Sequence, residues 1–129
     1  MKDIKMILKE YIEERDDFDL NKVFNNCLKS VNNSYYRVKG TKANLENISV
    51  MFDDNFKEGK IGAFIHPKDG VGGKILIKNK ALEHGIQYIK DIITHELIHA
   101  SLGYSETHSH DGDFTKIAEY VGLPKEYWD

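Results

Sequence analysis

The sequence predicts an α+β domain, because helical apolar spacing at both ends of the chain flanks a middle stretch of short strand-like runs. The chain has 129 residues, which fits a single domain covering residues 1–129. Apolar residues make up 40% and charged residues 30%, so the composition is neither that of a disordered chain nor that of a membrane protein. No apolar run approaches the roughly 20 residues that a membrane-spanning helix needs.

Two amphipathic helices are predicted in the first third of the chain. Apolar residues at positions 4, 7, 8 and 11 recur at helical spacing, with charged residues between them. Asp19 is then a suitable N-cap for a second helix, whose apolar stripe lies at positions 20, 23, 24, 27, 28 and 31. The Asn-Asn-Ser run at positions 32–34 is predicted to end this second helix.

The middle of the chain predicts a small, mostly antiparallel sheet. Turn-forming residues at 53–55 and a glycine-rich run at 70–73 separate apolar runs of strand length. Connections this short favour antiparallel neighbours, at least for the last two strands. The four predicted strands are Tyr35–Val38, Ile48–Phe52, Lys60–His66 and Lys74–Lys78.

Charge and cysteine content narrow the classes of function. A net charge of −3 argues against broad nucleic-acid binding, which needs a basic surface. The single cysteine, Cys27, excludes an intramolecular disulfide and a multi-cysteine zinc site, and its place on an apolar stripe indicates core filling. The first residues mix acids and bases and lack a signal-peptide core, so we expect a cytoplasmic protein without membrane contact.

The strongest chemical signal is the run His-Glu-Leu-Ile-His at positions 95–99, inside a helix predicted over residues 86–102. His95 and His99 stand one turn apart and about 40° round the helix, so their imidazoles can meet at one metal ion. Glu96 can reach a water at that metal without being a ligand itself. The pattern predicts a zinc site with two histidine ligands and Glu96 as the general base. The alternative is a helix whose two histidines bind no metal and have ordinary hydrogen-bond partners in the core or at the surface.

A third zinc ligand is expected downstream, because catalytic zinc usually takes three protein ligands and one water. Four of the six histidines fall within positions 95–110, which favours a histidine. His110 is preferred because it would stand just before a helix that restarts at position 114 and closes at Gly122 and Pro124. Asp111 is the predicted N-cap of that helix. The alternative third ligands are His108, Glu119, Asp111 and Asp113.

These motif residues resemble the SprT-like (Spartan-type) zinc metallopeptidases of the HExxH zincin superfamily. The resemblance rests on His-Glu-Leu-Ile-His-Ala at 95–100 and on His110 followed four residues later by Phe114. In that family a strand precedes the metal helix, and the third ligand lies in an H-G-x-x-F type motif that opens the next helix. In this chain Asp111 stands where the family usually has glycine. The similarity covers about residues 60–122.

The resemblance implies a zincin-like fold and a zinc peptidase acting on a protein or peptide substrate, with Zn²⁺ bound by His95, His99 and His110. Residues 74–78 are then the predicted strand for pairing with an extended substrate. Two other functions stay open: a catalytically silent, zinc-stabilised protein-binding module, and a zinc hydrolase acting on a non-peptide amide or a phosphoester. The candidates for stabilising an oxyanion are Tyr88, Tyr104, His108 and Tyr120.

Overall fold

The predicted α+β class is confirmed by a computed structural model, which describes residues 19–55, 61–65, 72–102 and 112–128. The first predicted helix, at positions 4–11, lies outside these residues. Within them, no helix is long and apolar enough to cross a membrane. In chain order the elements are α1 (Leu20–Lys39), β1 (Ile48–Phe52), β2 (Gly62–Ile65), β3 (Gly73–Ile77), a 3₁₀ turn (Asn79–His84), α2 (Ile86–Ser101), α3 (Asp113–Val121) and a second 3₁₀ turn (Lys125–Tyr127).

Helix α1 begins where the sequence predicts. Asp19 has an extended backbone, and its carboxylate accepts hydrogen bonds from the backbone N–H groups of Asn21 and Lys22, at 2.9 and 3.4 Å. These bonds satisfy donors that the first turn of a helix leaves without an intrahelical partner. The N-cap prediction is therefore confirmed.

The same helix ends later than predicted, and the predicted strand Tyr35–Val38 is wrong. Those residues form the last turns of α1, which closes at Gly40 in the left-handed conformation. Ser34 is buried, and Tyr35 and Val38 pack against the core. The apolar face therefore continues past position 31, and its packing on α2 and α3 outweighs the modest helix propensity of the Asn-Asn-Ser run.

The sheet is mixed rather than mostly antiparallel. Its order is β1-β3-β2, with β3 parallel to β1 and antiparallel to β2. The predicted strand Ile48–Phe52 is confirmed in its bounds, whereas the strands predicted at 60–66 and 74–78 are found at Gly62–Ile65 and Gly73–Ile77. The most deeply buried strand, β3, takes the centre, where both of its edges are hydrogen-bonded. The prediction that residues 74–78 pair with substrate is therefore wrong.

Helix α2 packs against the sheet through the apolar face that the sequence predicts. Ile89, Ile93 and Leu97 are fully buried in the core. On β2, Gly62 lets this helix approach closely, because a Cβ added there would overlap the Cγ2 methyl of Ile92. The helix that carries the histidine pair is thus held at a fixed depth against the sheet.

Helix α3, near the C-terminal end of the sequence, packs against α1 and α2 and completes the hydrophobic core. Phe114, Ile117 and Ala118 are buried, and Gly122 ends the helix in the left-handed conformation, as predicted. The N-cap is Gly112 instead of Asp111, which lies outside the described residues. At the surface, Asp113 accepts a 2.7 Å hydrogen bond from Lys39 Nζ and so ties the start of α3 to the end of α1.

Candidate metal centre

His95 and His99 lie next to each other on α2, with their rings in an edge-to-face arrangement. The ring centroids are 4.8 Å apart and the ring planes are inclined at 74°. Two imidazoles that bind one tetrahedral zinc ion through nitrogens at about 2.0–2.1 Å have centroids roughly 5 Å apart. Helical i, i+4 spacing alone brings such side chains near each other. The observed ring separation is compatible with a shared zinc ion.

The orientation of the His95 ring is set by a distant part of the chain. Its Nδ1 lies 2.7 Å from the backbone oxygen of Tyr127, in the second 3₁₀ turn. A carbonyl oxygen only accepts hydrogen bonds, so Nδ1 carries the proton and the lone pair of the neutral ring lies on Nε2. Histidines that bind metals commonly donate their other ring N–H in this way. The donor chemistry of His95 therefore fits a zinc ligand.

Glu96 is a buried acid beside these two histidines. Only 8% of its surface is exposed, and Thr94 and Leu97 on the same stretch of α2 are buried as well. Glutamate is seldom buried in proteins without a specific reason such as pairing or function. The helix thus holds a carboxylate within one turn of both imidazoles, where it could serve as a base.

Phe114 brings α3 against the histidine pair. Its ring centroid lies 4.8 Å from that of His99 and 5.4 Å from that of His95. The side chain is 1% exposed, so the contact is part of the core. Because α2 ends at Ser101 and α3 begins at Asp113, residues 102–112 connect two helix ends that both adjoin the pair.

Of the predicted third ligands, His110, His108 and Asp111 lie outside the described residues, and so does Tyr104. Glu119 is exposed on α3. Among residues 19–55, 61–65, 72–102 and 112–128, no three histidine, cysteine, aspartate or glutamate side chains are grouped so that they could hold a metal ion.

The two described candidates for oxyanion stabilisation differ in environment. Tyr88 lies on α2 two turns before His95, and its ring contacts those of His84 and Tyr127 at 4.6 and 5.8 Å. Burial, and then the neighbouring Tyr127, raise the pKa of the Tyr88 hydroxyl above its usual value, so it keeps its proton. Tyr120 is 60% exposed, and the guanidinium of Arg37 lies 5.8 Å from its ring centroid.

A separate cavity of about 210 Å³ lies between α1, α2 and the end of α3, and none of the three predicted metal-site residues on α2 lines it. It is smaller than the roughly 300–1,000 Å³ of common ligand pockets.

Two titratable side chains that line this cavity have shifted pKa values. Burial raises the pKa of the Cys27 thiol, against an opposing hydrogen bond from Thr94, and the cysteine is part of the core as predicted. Burial also raises the pKa of Asp91, although Gln87 donates a 3.1 Å hydrogen bond to its carboxylate.

The contribution of Tyr127 to this site could not be predicted from the sequence. A backbone carbonyl oxygen has no residue-type signature, and residues 95 and 127 are 32 positions apart. Phe114 does have a sequence signal, since it follows the helical spacing of α3, but that spacing does not reveal which rings it contacts.

Comparison of the chain with protein-family models, with curated proteins and with solved structures found no match.

Proposed function

We propose that this protein is a cytoplasmic, zinc-dependent metallopeptidase of the SprT-like, zincin type, with Zn²⁺ held by His95, His99 and His110. One observation carries the proposal: two imidazole rings 4.8 Å apart adjoin a glutamate that is buried within the same turn of helix. A pair of zinc ligands with an adjoining general base accounts for both the ring spacing and the burial.

The chemistry divides between the metal and the side chains. When bound, zinc supplies Lewis acidity, which polarises a carbonyl group and makes water acidic near neutral pH. Glu96 takes the proton of the attacking water and delivers it to the leaving amine. Tyr88 retains its proton and is the better suited of the two described tyrosines to donate a hydrogen bond to developing negative charge.

The position of Phe114 supports a third ligand from the connection between α2 and α3. His110 precedes Phe114 by four residues, a span of at most about 14 Å when fully extended. Because the Phe114 ring touches both histidine rings, His110 is within reach of the same point. His108, six residues before Phe114, is also within reach and is the competing ligand.

The sheet suggests how an extended substrate would bind. Since β3 is paired on both sides, the antiparallel edge strand β2 is the candidate for adding a substrate strand through backbone hydrogen bonds. This strand lies against the metal helix, where Gly62 packs on Ile92. Ile65, at the other end of β2, is 45% exposed and could contact a substrate side chain.

The decisive experiment compares the wild type with Glu96→Gln, and with Glu83→Gln as the matched control. Glu83 is exposed on the first 3₁₀ turn. We expect both variants to hold one zinc ion by metal analysis. Hydrolysis of an unstructured polypeptide should fall roughly 100- to 10,000-fold in Glu96→Gln only, because the general base is lost.

Undiminished hydrolysis by zinc-loaded Glu96→Gln would contradict the assigned base. A wild type that binds zinc tightly and cleaves neither peptides nor other amides would favour the protein-binding module. For the third ligand, zinc titration of His110→Ala should show weaker binding than titration of His108→Ala. Unchanged affinity in His110→Ala would refute that assignment.

A further inference from the structure

The segment after α3 makes a contact that the proposed reaction does not by itself require. The backbone oxygen of Tyr127 accepts a 2.7 Å hydrogen bond from Nδ1 of His95. A neutral histidine can carry its proton on either ring nitrogen, and only the form with the proton on Nδ1 has its lone pair on Nε2. This carbonyl therefore distinguishes between the two tautomers of a predicted metal ligand.

The direction of that carbonyl is fixed by bonds within the segment itself. The N–H groups of Tyr127 and Trp128 donate to the backbone oxygens of Pro124 and Lys125, at 2.9 and 3.0 Å. The indole Nε1 of Trp128 donates to the backbone oxygen of Leu123 at 2.8 Å. Leu123 is buried in the core, which anchors the start of the turn. The carbonyl is thus part of a closed, internally bonded turn.

The segment is also attached to the helix that carries the histidines. The ring of Tyr127 lies 5.8 Å from that of Tyr88, and Tyr88 in turn contacts His84. Tyr88 and His95 are seven residues apart on α2, which places them on the same face two turns apart. The contact between Tyr88 and Tyr127 therefore attaches the turn to the face of α2 that carries His95.

We propose that residues 123–128 act as a positioning element, in which the Tyr127 carbonyl holds His95 in its Nδ1–H tautomer and so prepares Nε2 for the metal. The role in metal binding rests on the proposed function, whereas the hydrogen bond between Tyr127 and His95 does not. Loss of such an outer partner typically weakens metal binding 10- to 100-fold. Tyr127 contacts His95 through its backbone oxygen, so a substitution that keeps the aromatic ring, and with it the contact to Tyr88, leaves the hydrogen bond in place.

The test uses the full chain and two substitutions at one position. Trp128→Pro removes an N–H donor and forces residue 127 out of helical geometry, which turns its carbonyl away from His95. Trp128→Ala loses the same indole but keeps the backbone N–H. It also allows residue 127 to keep its helical backbone conformation. Tyr127→Phe serves as a second control, since it keeps both the ring and the carbonyl.

Two readouts are compared: the His95 tautomer of the metal-free protein, from long-range ¹H–¹⁵N NMR at alkaline pH, and zinc affinity by chelator competition. We expect Nδ1–H in the wild type and in Tyr127→Phe, and a mixture of tautomers with 10- to 100-fold weaker zinc binding in Trp128→Pro. Trp128→Ala should lie closer to the wild type in both.

A Trp128→Pro protein with the wild-type tautomer and the wild-type zinc affinity would overturn the inference, as would a wild-type His95 protonated on Nε2. If Trp128→Pro fails to fold, as judged by circular dichroism, the comparison of Trp128→Ala with the wild type decides, with a smaller shift of the same sign expected. Because the tautomer is read without metal, a wild type that shows Nδ1–H yet binds no zinc would refute the proposed function and uphold the positioning contact.

Discussion

The ring centroids of Phe114 and His99 lie 4.8 Å apart. This contact joins the first turn of α3 to the last turn of α2. The same ring also contacts His95. The buried Phe114 side chain is therefore part of the hydrophobic core and also packs against both histidine rings. Its removal should affect stability and metal binding together.

We expect Phe114→Ala to lower the free energy of unfolding by about 3–5 kcal/mol, because it leaves a cavity at a site that is 1% exposed. Zinc affinity should fall as well, since the histidine rings lose their packing. Phe114→Leu retains most of the volume and should cost less than about 1.5 kcal/mol. Urea unfolding and zinc titration measure both effects, and equal stability of the two variants would show that the cavity is not formed.

Gly62→Ala should destabilise the protein by about 1–3 kcal/mol, because the new methyl group would overlap the Cγ2 of Ile92 between β2 and α2. The β-branched Ile92 side chain has little freedom to move aside. The double variant Gly62→Ala/Ile92→Ala should be more stable than the sum of the two single changes predicts. Strict additivity in thermal unfolding would argue against this close contact.

Asp91→Asn should stabilise the protein at pH 7. Burial raises the pKa of Asp91, so the folded state binds its proton more tightly than the unfolded state. The contribution of Asp91 to the free energy of unfolding is then greatest below its pKa in the unfolded state, which is about 4. This contribution is lost as the pH rises through the higher pKa of the folded state. The advantage of Asp91→Asn in urea unfolding should shrink from pH 7 to pH 4, whereas exposed Glu83→Gln should show no such trend. A difference that stays constant with pH would show that burial does not raise the pKa of this carboxyl group.

Cys27 should react slowly with a thiol reagent in the native protein. It is buried, and burial raises the pKa of its thiol, so little thiolate is present at pH 8. We expect labelling in 6 M urea to be faster by roughly 100-fold or more, with one thiol titrated per chain. Comparable native and denatured rates would place the thiol at the surface instead.

Much of the fold follows from patterns that are local in the chain. Asp19 caps α1 because its side-chain oxygen meets N–H groups two and three residues on, and the strand Ile48–Phe52 is bounded by turn residues. The mistaken strand at residues 35–38 arose where local signals conflict with packing. An Asn-Asn-Ser run is typical of a helix end, yet the buried face that continues through Ser34 and Val38 keeps α1 intact to Lys39.

The sequence by itself determined the spacing of His95, Glu96 and His99, because one turn of helix brings such residues together whatever surrounds them. The tertiary structure decided the rest: that β3 lies between its neighbours, that Phe114 meets the histidine rings, and that the carbonyl of Tyr127 faces His95. These are contacts between residues far apart in the chain. They depend on how elements pack, and a backbone oxygen is the same in every residue, so composition and periodicity carry no trace of them.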